Sequence, residues 1–266
     1  ASGKGGVGKS TTSINLALAI QSMGNNVGIL DADIYGPSLP MLTGINTKPM
    51  MKDKKIIPQN AFGLQSMSIG FLLPEDTATI WRGPMVMSAI NQLLTDVNWT
   101  NLDFLIIDMP PGTGDAQLTL SQKVQLAGAV IVSTPQDLSL IDARKGLNMF
   151  KKVNVPILGI IENMSYFLCS NCNEKHQIFG HGGAEKEAEK LGVPFLGAIP
   201  IDIELRSSSD KGEPIFIKDC DNYFNHTIIE GNYICTLCIS NDNNVKELYN
   251  KSFIETNSTN EIINIC

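Results

Sequence analysis

The sequence predicts an α/β fold, in which a mostly parallel sheet carries helices on both faces. Short apolar runs alternate with segments of helical pattern, and this alternation is typical of parallel sheets that are covered on both sides. A glycine-rich segment directly precedes the first helical pattern. The chain of 266 residues is 43% hydrophobic and 18% charged, so it can bury a sizeable core.

Five apolar runs are predicted as short buried strands, at residues 26–33, 102–109, 128–134, 156–162 and 194–199. Helices are predicted at residues 9–23, 85–95 and 183–191, and glycines close the first and the last of them. Ligands of such sheets bind beyond the carboxyl ends of the strands. The residues that follow each strand are therefore the first candidates for function.

Composition argues against several classes of partner. The net charge of -7 and the sequence pI near 5.0 disfavour a general binder of nucleic acid or of membrane surfaces. No apolar run approaches the roughly 18 residues of a membrane-spanning helix. We therefore expect no nucleic-acid partner and no stable membrane insertion. Six cysteines are too few for a secreted disulfide scaffold of this size.

Residues 3–10 read GKGGVGKS and fit the phosphate-binding pattern G-x-x-x-x-G-K-S in full. The glycines let the backbone wrap phosphates, Lys9 places a charge on the β and γ phosphates, and the Ser10 hydroxyl can ligate Mg²⁺. The following helix points its positive end at the same anion. A chance glycine-rich turn is the alternative. The sequence thus predicts a P-loop NTPase with ATP and Mg²⁺ as cofactors, and its nucleotide-binding residues are Gly3, Lys4, Gly5, Gly6, Val7, Gly8, Lys9, Ser10 and Thr11.

The two ends of the chain carry separate predictions. A P-loop normally follows a buried strand, and here the loop starts at once without an initiator Met. The first strand is therefore predicted to be missing, as in a fragment or a processed form. Composition changes near Lys218. Residues 1–218 are predicted to form the nucleotide-binding domain, and residues 219–266 a divergent, Asn-rich tail that is poorly ordered or loosely docked.

Acidic residues end two of the predicted strands. Asp31 and Asp33 follow an apolar run, and Asp108 ends another. Asp108 is a Walker B candidate that would hold Mg²⁺ directly or through water. The stiff turn at residues 109–115 follows it and could report the γ-phosphate. The alternative is that these aspartates, with Asp115, cap helices.

Two C-x-x-C pairs, Cys169/Cys172 and Cys235/Cys238, suggest metal, cluster or redox chemistry. Two thiolates are half a site for Zn²⁺ or a [4Fe–4S] cluster, and a symmetric dimer would supply the other half. Three alternatives stay open for the first pair: zinc within one subunit together with His176 and His181, a redox dithiol, or a silent loop. The second pair is a chance pair or an auxiliary ligand pair. Cys220 and Cys266 follow no pattern.

Lys4 is a second lysine inside the loop, and the run KGGVGKST resembles the deviant Walker A group. That group includes the Mrp-type proteins, the cell-division and partition ATPases, and the nitrogenase iron protein. The resemblance implies that Lys4 reaches across a dimer interface to the partner's nucleotide. The alternative is a solvent-facing lysine.

Further segments resemble the Mrp-type branch, the iron–sulfur cluster carriers of SIMIBI-type fold, and most closely its mitochondrial member, which is implicated in assembling respiratory complex I. They are DADIYGPSLP, WRGPM, DMPPGTGD, STPQD, DARKG, NMSYFLCSNC and IFGHGGA, at residues 31–40, 81–85, 108–115, 133–137, 142–146, 163–172 and 178–184. The match runs to about residue 217, and the tail departs from it. The resemblance implies that Asp33 orients the attacking water, that Asp31 supports the switch and that Asn163 contacts adenine. It also implies that Cys169 and Cys172 of two copies bridge a [4Fe–4S] cluster.

The sequence therefore predicts a homodimeric, ATP-binding carrier that delivers [4Fe–4S] clusters to apoproteins, with complex I among them. Slow hydrolysis would act as a switch, with Lys4, Lys9, Asp33 and Asp108 as catalytic candidates. The mitochondrial matrix is the expected location, and a bacterial cytoplasm is the alternative. Two alternative functions are a positioning ATPase of the cell-division and partition type, and a zinc-stabilised nucleotide-binding module.

Overall fold

The computed structural model describes residues 1–73 and 83–218, together with the backbone of residues 263–265. Trp81, Arg82, Cys220, Cys235, Cys238, Cys266 and nearly all of the predicted tail lie outside the described residues. No helix in the described part is long and apolar enough to cross a membrane.

Helices and strands alternate along most of the chain. The helices are α1 (Lys9–Ser22), α2 (Leu39–Thr43), α3 (Gly83–Thr95), α4 (Asp115–Lys123), α5 (Asp137–Lys152), α6 (Gly183–Leu191), α7 (Ile203–Asp210) and α8 (Ile215–Lys218). The strands are β1 (Val27–Asp31), β2 (Met51–Lys52), β3 (Lys55–Ile56), β4 (Gln59–Ala61), β5 (Leu64–Ser68), β6 (Phe104–Asp108), β7 (Ala129–Ser133), β8 (Ile157–Leu168), β9 (Lys175–His176), β10 (Phe195–Ile201) and β11 (Ile263–Ile265).

Two mostly parallel sheets form the centre of the described structure. One has the order β11-β6-β1-β5-β4, and the other has the order β10-β8-β7 with β9 paired to β8. Every residue of β1, β6 and β7 is buried. Because successive side chains of a strand point to opposite faces, burial of every residue means that both faces of these strands are covered. The predicted α/β fold with mostly parallel strands is confirmed.

The first two residues run between the two sheets. The Ala1 ammonium donates to the Val130 carbonyl at 2.8 Å, and the Val132 amide donates to the Ala1 carbonyl at 2.9 Å. The Ser2 carbonyl accepts from the Gly112 amide, just beyond β6, at 3.0 Å. The glycine loop is therefore held on its N-terminal side by backbone hydrogen bonds to β7 and to the turn after β6.

All five predicted strands are present, as β1, β6, β7, β8 and β10, and the three predicted helices correspond to α1, α3 and α6. The prediction was wrong at the end of β8. This strand continues six residues past Glu162, because it keeps pairing with β10 and then with β9. Asn163 therefore lies within a strand rather than in a turn after one.

Candidate nucleotide and thiol sites

The glycine loop wraps the start of α1. Gly6 has φ 77° and Gly8 has φ 81°, a left-handed conformation that favours glycine. Gly8 is the N-cap of α1, and no side chain caps this helix. The first backbone N–H groups of α1 therefore lack side-chain acceptors, which suits them to bind an anion.

The loop lies against two neighbours. A Cβ at Gly3 would come within 2.1 Å of the Asp142 carbonyl in α5, and a Cβ at Gly8 within 2.1 Å of the Asn163 Nδ2 atom. A Cβ at Gly5 or Gly6 would meet nothing within 4 Å. The loop is thus pinned at its two ends and open in its middle, where a phosphate chain would sit.

Lys9 and Asp108 form a buried ion pair. The Lys9 Nζ atom lies 2.6 Å from Asp108 Oδ1, and these side chains are 7% and 3% exposed. The Ser13 hydroxyl donates to the same carboxylate oxygen at 3.3 Å, and Lys9 Nζ also lies 3.3 Å from the Ser10 Oγ atom. The structure therefore brings together the predicted phosphate-binding lysine and the two predicted Mg²⁺ ligands.

Asp31 is a buried acceptor beside this pair. It accepts hydrogen bonds from the amides of Asp33, Ser38 and Leu39 and from the Ser68 hydroxyl, all at 3.0 to 3.1 Å. Burial, and secondly the nearby Asp108 charge, raise the pKa of Asp31 to about 7. Its contacts at the start of α2 match the helix-capping alternative, and its part in a switch stays a prediction.

Asp33 is half-buried and accepts from the Gly36 amide at 3.2 Å. Burial raises the pKa of Asp33 above its ordinary value. Asp115 opens α4 behind the N-cap Gly114 without itself acting as the cap.

Asn163 contacts the loop from β8. Its side chain is buried, and its Nδ2 donates to the Val7 carbonyl at 2.8 Å. Lys4 and Thr11 are half-buried, and within the described residues no hydrogen bond or ion pair engages the Lys4 ammonium. Asn163 is thus brought to the loop, while contact with adenine stays a prediction.

Cys169 and Cys172 lie at the tip of a hairpin. β8 and β9 pair Phe167 with His176, and the Cys169 amide donates to the Glu174 carbonyl at 3.0 Å. Both thiols are free, with Cys169 half-buried and Cys172 exposed. The backbone N–H groups of Asn171 and Cys172, which point at the Cys169 sulfur, hold the pKa of that thiol below its ordinary value. This arrangement stabilises a thiolate, the form that binds metals.

The described residues do not assemble a zinc site from one subunit. Within residues 1–73 and 83–218, no group of three or more His, Cys, Asp or Glu side chains is placed to hold a metal ion. His176 lies on β9, and the His181 Nδ1 atom lies 3.2 Å from the Ser165 Oγ atom instead. The described part of one subunit therefore supplies two thiols and no further ligand to complete a four-coordinate zinc site.

A family comparison identifies the chain. The model of the ParA-type family described as NUBPL iron-transfer P-loop NTPase matches residues 1–230. This chain belongs to that family. The resemblance drawn from the sequence motifs is confirmed.

Relatives of the NUBPL family extend this result. The "iron-sulfur cluster carrier protein" of Haemophilus influenzae is 54% identical over 231 residues, which are 86% of this chain and 62% of that protein. The "iron-sulfur protein required for NADH dehydrogenase, mitochondrial" of Arabidopsis thaliana is 52% identical over 82% of this chain and 70% of that protein. The chain thus spans about three-fifths of the bacterial relative.

Solved structures share the fold. A nucleotide-binding protein from Archaeoglobus fulgidus, in complex with ADP and with cobalt found, has a TM-score of 0.73 and 41% identity over 84% of this chain and 88% of that one. The septum site-determining protein MinD from Pyrococcus horikoshii has a TM-score of 0.62 at 21% identity, over 94% of this chain and 96% of that one, and this likeness shows the fold alone.

Sequence reasoning assigned no role to Glu162, which is fully buried at the register position next to the end of β7. Its carboxylate accepts from the Gly182 amide at 3.1 Å, the Ala184 amide at 2.7 Å and the Ser165 hydroxyl at 2.6 Å. Ser165 lies three residues away on β8, whereas the two amides lie 20 and 22 residues away at the start of α6. The only signal in the sequence is an acidic residue inside an apolar run.

Proposed function

We propose that this chain is an ATP-binding carrier of iron–sulfur clusters that acts as a homodimer. The observation that carries the proposal is the hairpin tip of Cys169 and Cys172, a pair of free thiols directly after the strand whose Asn163 contacts the P-loop. Such a hairpin offers half of a cluster site.

The loop fits a nucleotide and Mg²⁺. The uncapped start of α1 and the open space at Gly5 and Gly6 suit a phosphate chain. Lys9 would bind phosphate, and Ser10 and Asp108 would hold the ion, which supplies charge neutralisation when bound. Phosphate oxygens would compete with Asp108 for the Lys9 ammonium, so binding would exchange one buried ion pair for another and free the carboxylate for Mg²⁺.

The cargo is proposed to be a [4Fe–4S] cluster. Such clusters are held by four Cys thiolates, and one hairpin supplies two. Two copies related by a two-fold axis would present Cys169 and Cys172 twice. The half-buried Lys4, whose ammonium has no partner among the described residues, is proposed to reach the nucleotide of the partner subunit, so that both sites depend on one interface.

The names of the relatives support cluster delivery to other proteins as the function. Their names include a bacterial cluster carrier and a protein required for mitochondrial NADH dehydrogenase. We propose that this chain hands clusters to apo iron–sulfur proteins, including those of respiratory complex I, in the mitochondrial matrix or, alternatively, in a bacterial cytoplasm. Slow ATP hydrolysis, with Asp33 orienting water, would reset the dimer rather than make a product.

Anaerobic reconstitution with iron and sulfide tests the cargo. We expect absorbance near roughly 400 nm and about four irons per dimer. A Cys169→Ser/Cys172→Ser variant should lose both, whereas a matched Cys220→Ser/Cys266→Ser control should keep them. A Cys235→Ser/Cys238→Ser variant decides whether the second pair contributes. Absence of the absorbance in the parent, with one zinc bound per monomer, would overturn the carrier proposal.

Two lysine variants test the nucleotide site. Lys9→Ala should abolish ATP binding measured by calorimetry, and a Lys9→Met/Asp108→Asn variant, which leaves no buried unpaired charge, guards against misfolding as the cause. Lys4→Ala should keep ATP binding and weaken ATP-dependent dimerisation measured by analytical ultracentrifugation, with the exposed Lys186→Ala as control. Unchanged dimerisation in Lys4→Ala would contradict the shared site.

A further inference from the structure

Strand β8 physically joins the two candidate sites. Asn163 on this strand donates to the Val7 carbonyl of the P-loop at 2.8 Å, and Cys169 follows the last residue of the same strand. Six residues of extended chain span about 20 Å. A displacement of the P-loop can therefore pass through this hydrogen bond to Asn163 and then along the covalent chain to the thiols.

This route is bent at one point. Met164 has φ 56°, a left-handed conformation that is strained for a residue other than glycine. The register with β10 also shifts here. Asn163 pairs with Ile199 and Phe167 with Ile201, so three residues of β8 lie opposite one residue of β10. Such bulges bend a strand and re-aim the side chains that follow.

A hydrogen bond closes this bulge. The buried Ser165 hydroxyl donates to the Glu162 carboxylate at 2.6 Å, so the residues on either side of Asn163 and Met164 are joined. The same carboxylate accepts from the Gly182 and Ala184 amides at the start of α6. The bend is therefore anchored on one side to α6, while Asn163 between its ends is bonded to the P-loop.

We infer that the Met164 bulge and the Glu162–Ser165 hydrogen bond form a joint that sets the position of the cysteine hairpin according to the state of the P-loop. The inference rests on the proposed function, because it names the regulation of the same two sites. Met164 and Ser165 would be positioning residues, which act through Asn163 and the cysteine hairpin. Relief of the strain at Met164 would lower the free-energy cost of a second conformation of the joint, and the hydrogen bond holds the first.

The test measures coupling between the sites in the full chain. ATP affinity is determined by calorimetry with and without a reconstituted cluster, and the ratio of the two dissociation constants is compared among variants. We expect a ratio of about 5-fold or more in the parent protein. Met164→Gly and Ser165→Ala should each bring the ratio to within about 2-fold of one, while ATP affinity without cluster changes less than about 3-fold. Ser165→Thr, which keeps the hydroxyl, should restore the coupling.

Matched controls separate coupling from folding. Asn154→Gly changes another residue of positive φ, at 60°, and Ser66→Ala removes another buried serine hydroxyl. Both should retain the parental ratio. If Ser165→Ala lowers the urea midpoint but keeps the ratio of dissociation constants, Ser165 has only a structural role and the inference is overturned.

A second readout is independent of cluster binding. The labelling rate of Cys172 by a thiol reagent, followed by mass spectrometry, should change with ATP in the parent and not in Met164→Gly. A parent that binds ATP and cluster with a ratio of one and shows ATP-independent labelling keeps the proposed function and refutes the joint. A parent that binds no cluster but labels in an ATP-dependent way keeps the joint and refutes the cargo.

Discussion

Gly8 and Asn163 contact each other closely enough for a substitution series to measure their interaction. Three glycines of the loop differ in what a methyl group would meet. At Gly5 the backbone φ is not positive and the space is open, at Gly6 φ is 77° in open space, and at Gly8 φ is 81° with the Asn163 amide 2.1 Å from the new atom. The series therefore separates backbone strain from collision.

The expected costs follow from these contacts. Gly5→Ala should change the free energy of unfolding by less than about 0.5 kcal/mol. Gly6→Ala should cost about 1 kcal/mol, because alanine is strained at positive φ. Gly8→Ala should cost about 2–4 kcal/mol, because it adds the loss of the buried hydrogen bond from Asn163 to Val7. Asn163→Ala alone should cost about 1–3 kcal/mol by losing the same bond.

The double variant Gly8→Ala/Asn163→Ala loses that bond only once. It should be less destabilised than the sum of the single variants by about 1–2 kcal/mol. Urea unfolding of the nucleotide-free protein, followed by circular dichroism, measures all five proteins against the parent. Additivity within about 0.5 kcal/mol would refute the contact as the source of the Gly8 effect.

Three further predictions concern other parts of the chain. Asp202→Ala removes the N-cap of α7, whose carboxylate accepts from two amides, and should lower the free energy of unfolding by about 1 kcal/mol; a change near zero would exclude a capping role. The raised pKa of Asp31 means that the folded state holds its proton more tightly than the unfolded chain, so the stability it contributes is present at low pH and lost as pH rises through about 7. Unfolding of nucleotide-free protein at about pH 6 and about pH 8 should show this fall, at up to about 1 kcal/mol per pH unit, and Asp31→Asn should flatten it; an equal slope in the variant would contradict Asp31 as the source. Gly183→Ala places a methyl group 2.7 Å from the Pro135 carbonyl and should shift the urea midpoint down, whereas Gly114→Ala, in open space, should not.

The strands that could be predicted from the sequence are those that are buried because most of their residues are apolar. β1, β6 and β7 are continuous apolar runs, and the structure buries every residue of them. β5 was not predicted, because its sequence LQSMS is half polar. Ser66 and Ser68 are nevertheless fully buried, and Ser68 donates to Asp31 at 3.0 Å. A strand whose buried residues include serines, one of which bonds to a distant carboxylate, shows no periodic apolar pattern in the sequence.

The candidate site divides in the same way. The sequence predicted Lys9, Ser10 and Asp108 because the loop motif and the acidic strand end are each visible in a short run of residues. The structure brings these three side chains together. The Asn163 contact with Val7 spans 156 residues, and no spacing in the sequence encodes it. Glu162 was missed for the same reason, because its two amide donors at the start of α6 come close to it only when the chain folds.

The buried carboxylates Asp108 and Glu162 have different kinds of partner, and the difference determines which of them can exchange its partner. Asp31 and Asp108 pair in register at the ends of β1 and β6, and burial, followed by the adjacent Asp108 charge, raises the pKa of Asp31. Asp108 is paired with the Lys9 ammonium, for which another anion can compete. Glu162 accepts hydrogen bonds from two backbone amides and a hydroxyl. Because its carboxylate occupies the site in front of those amides at the start of α6, a soluble anion does not compete for them. The Lys9–Asp108 pair can therefore exchange partners when a phosphate binds, whereas Glu162 keeps its amide donors at the start of α6.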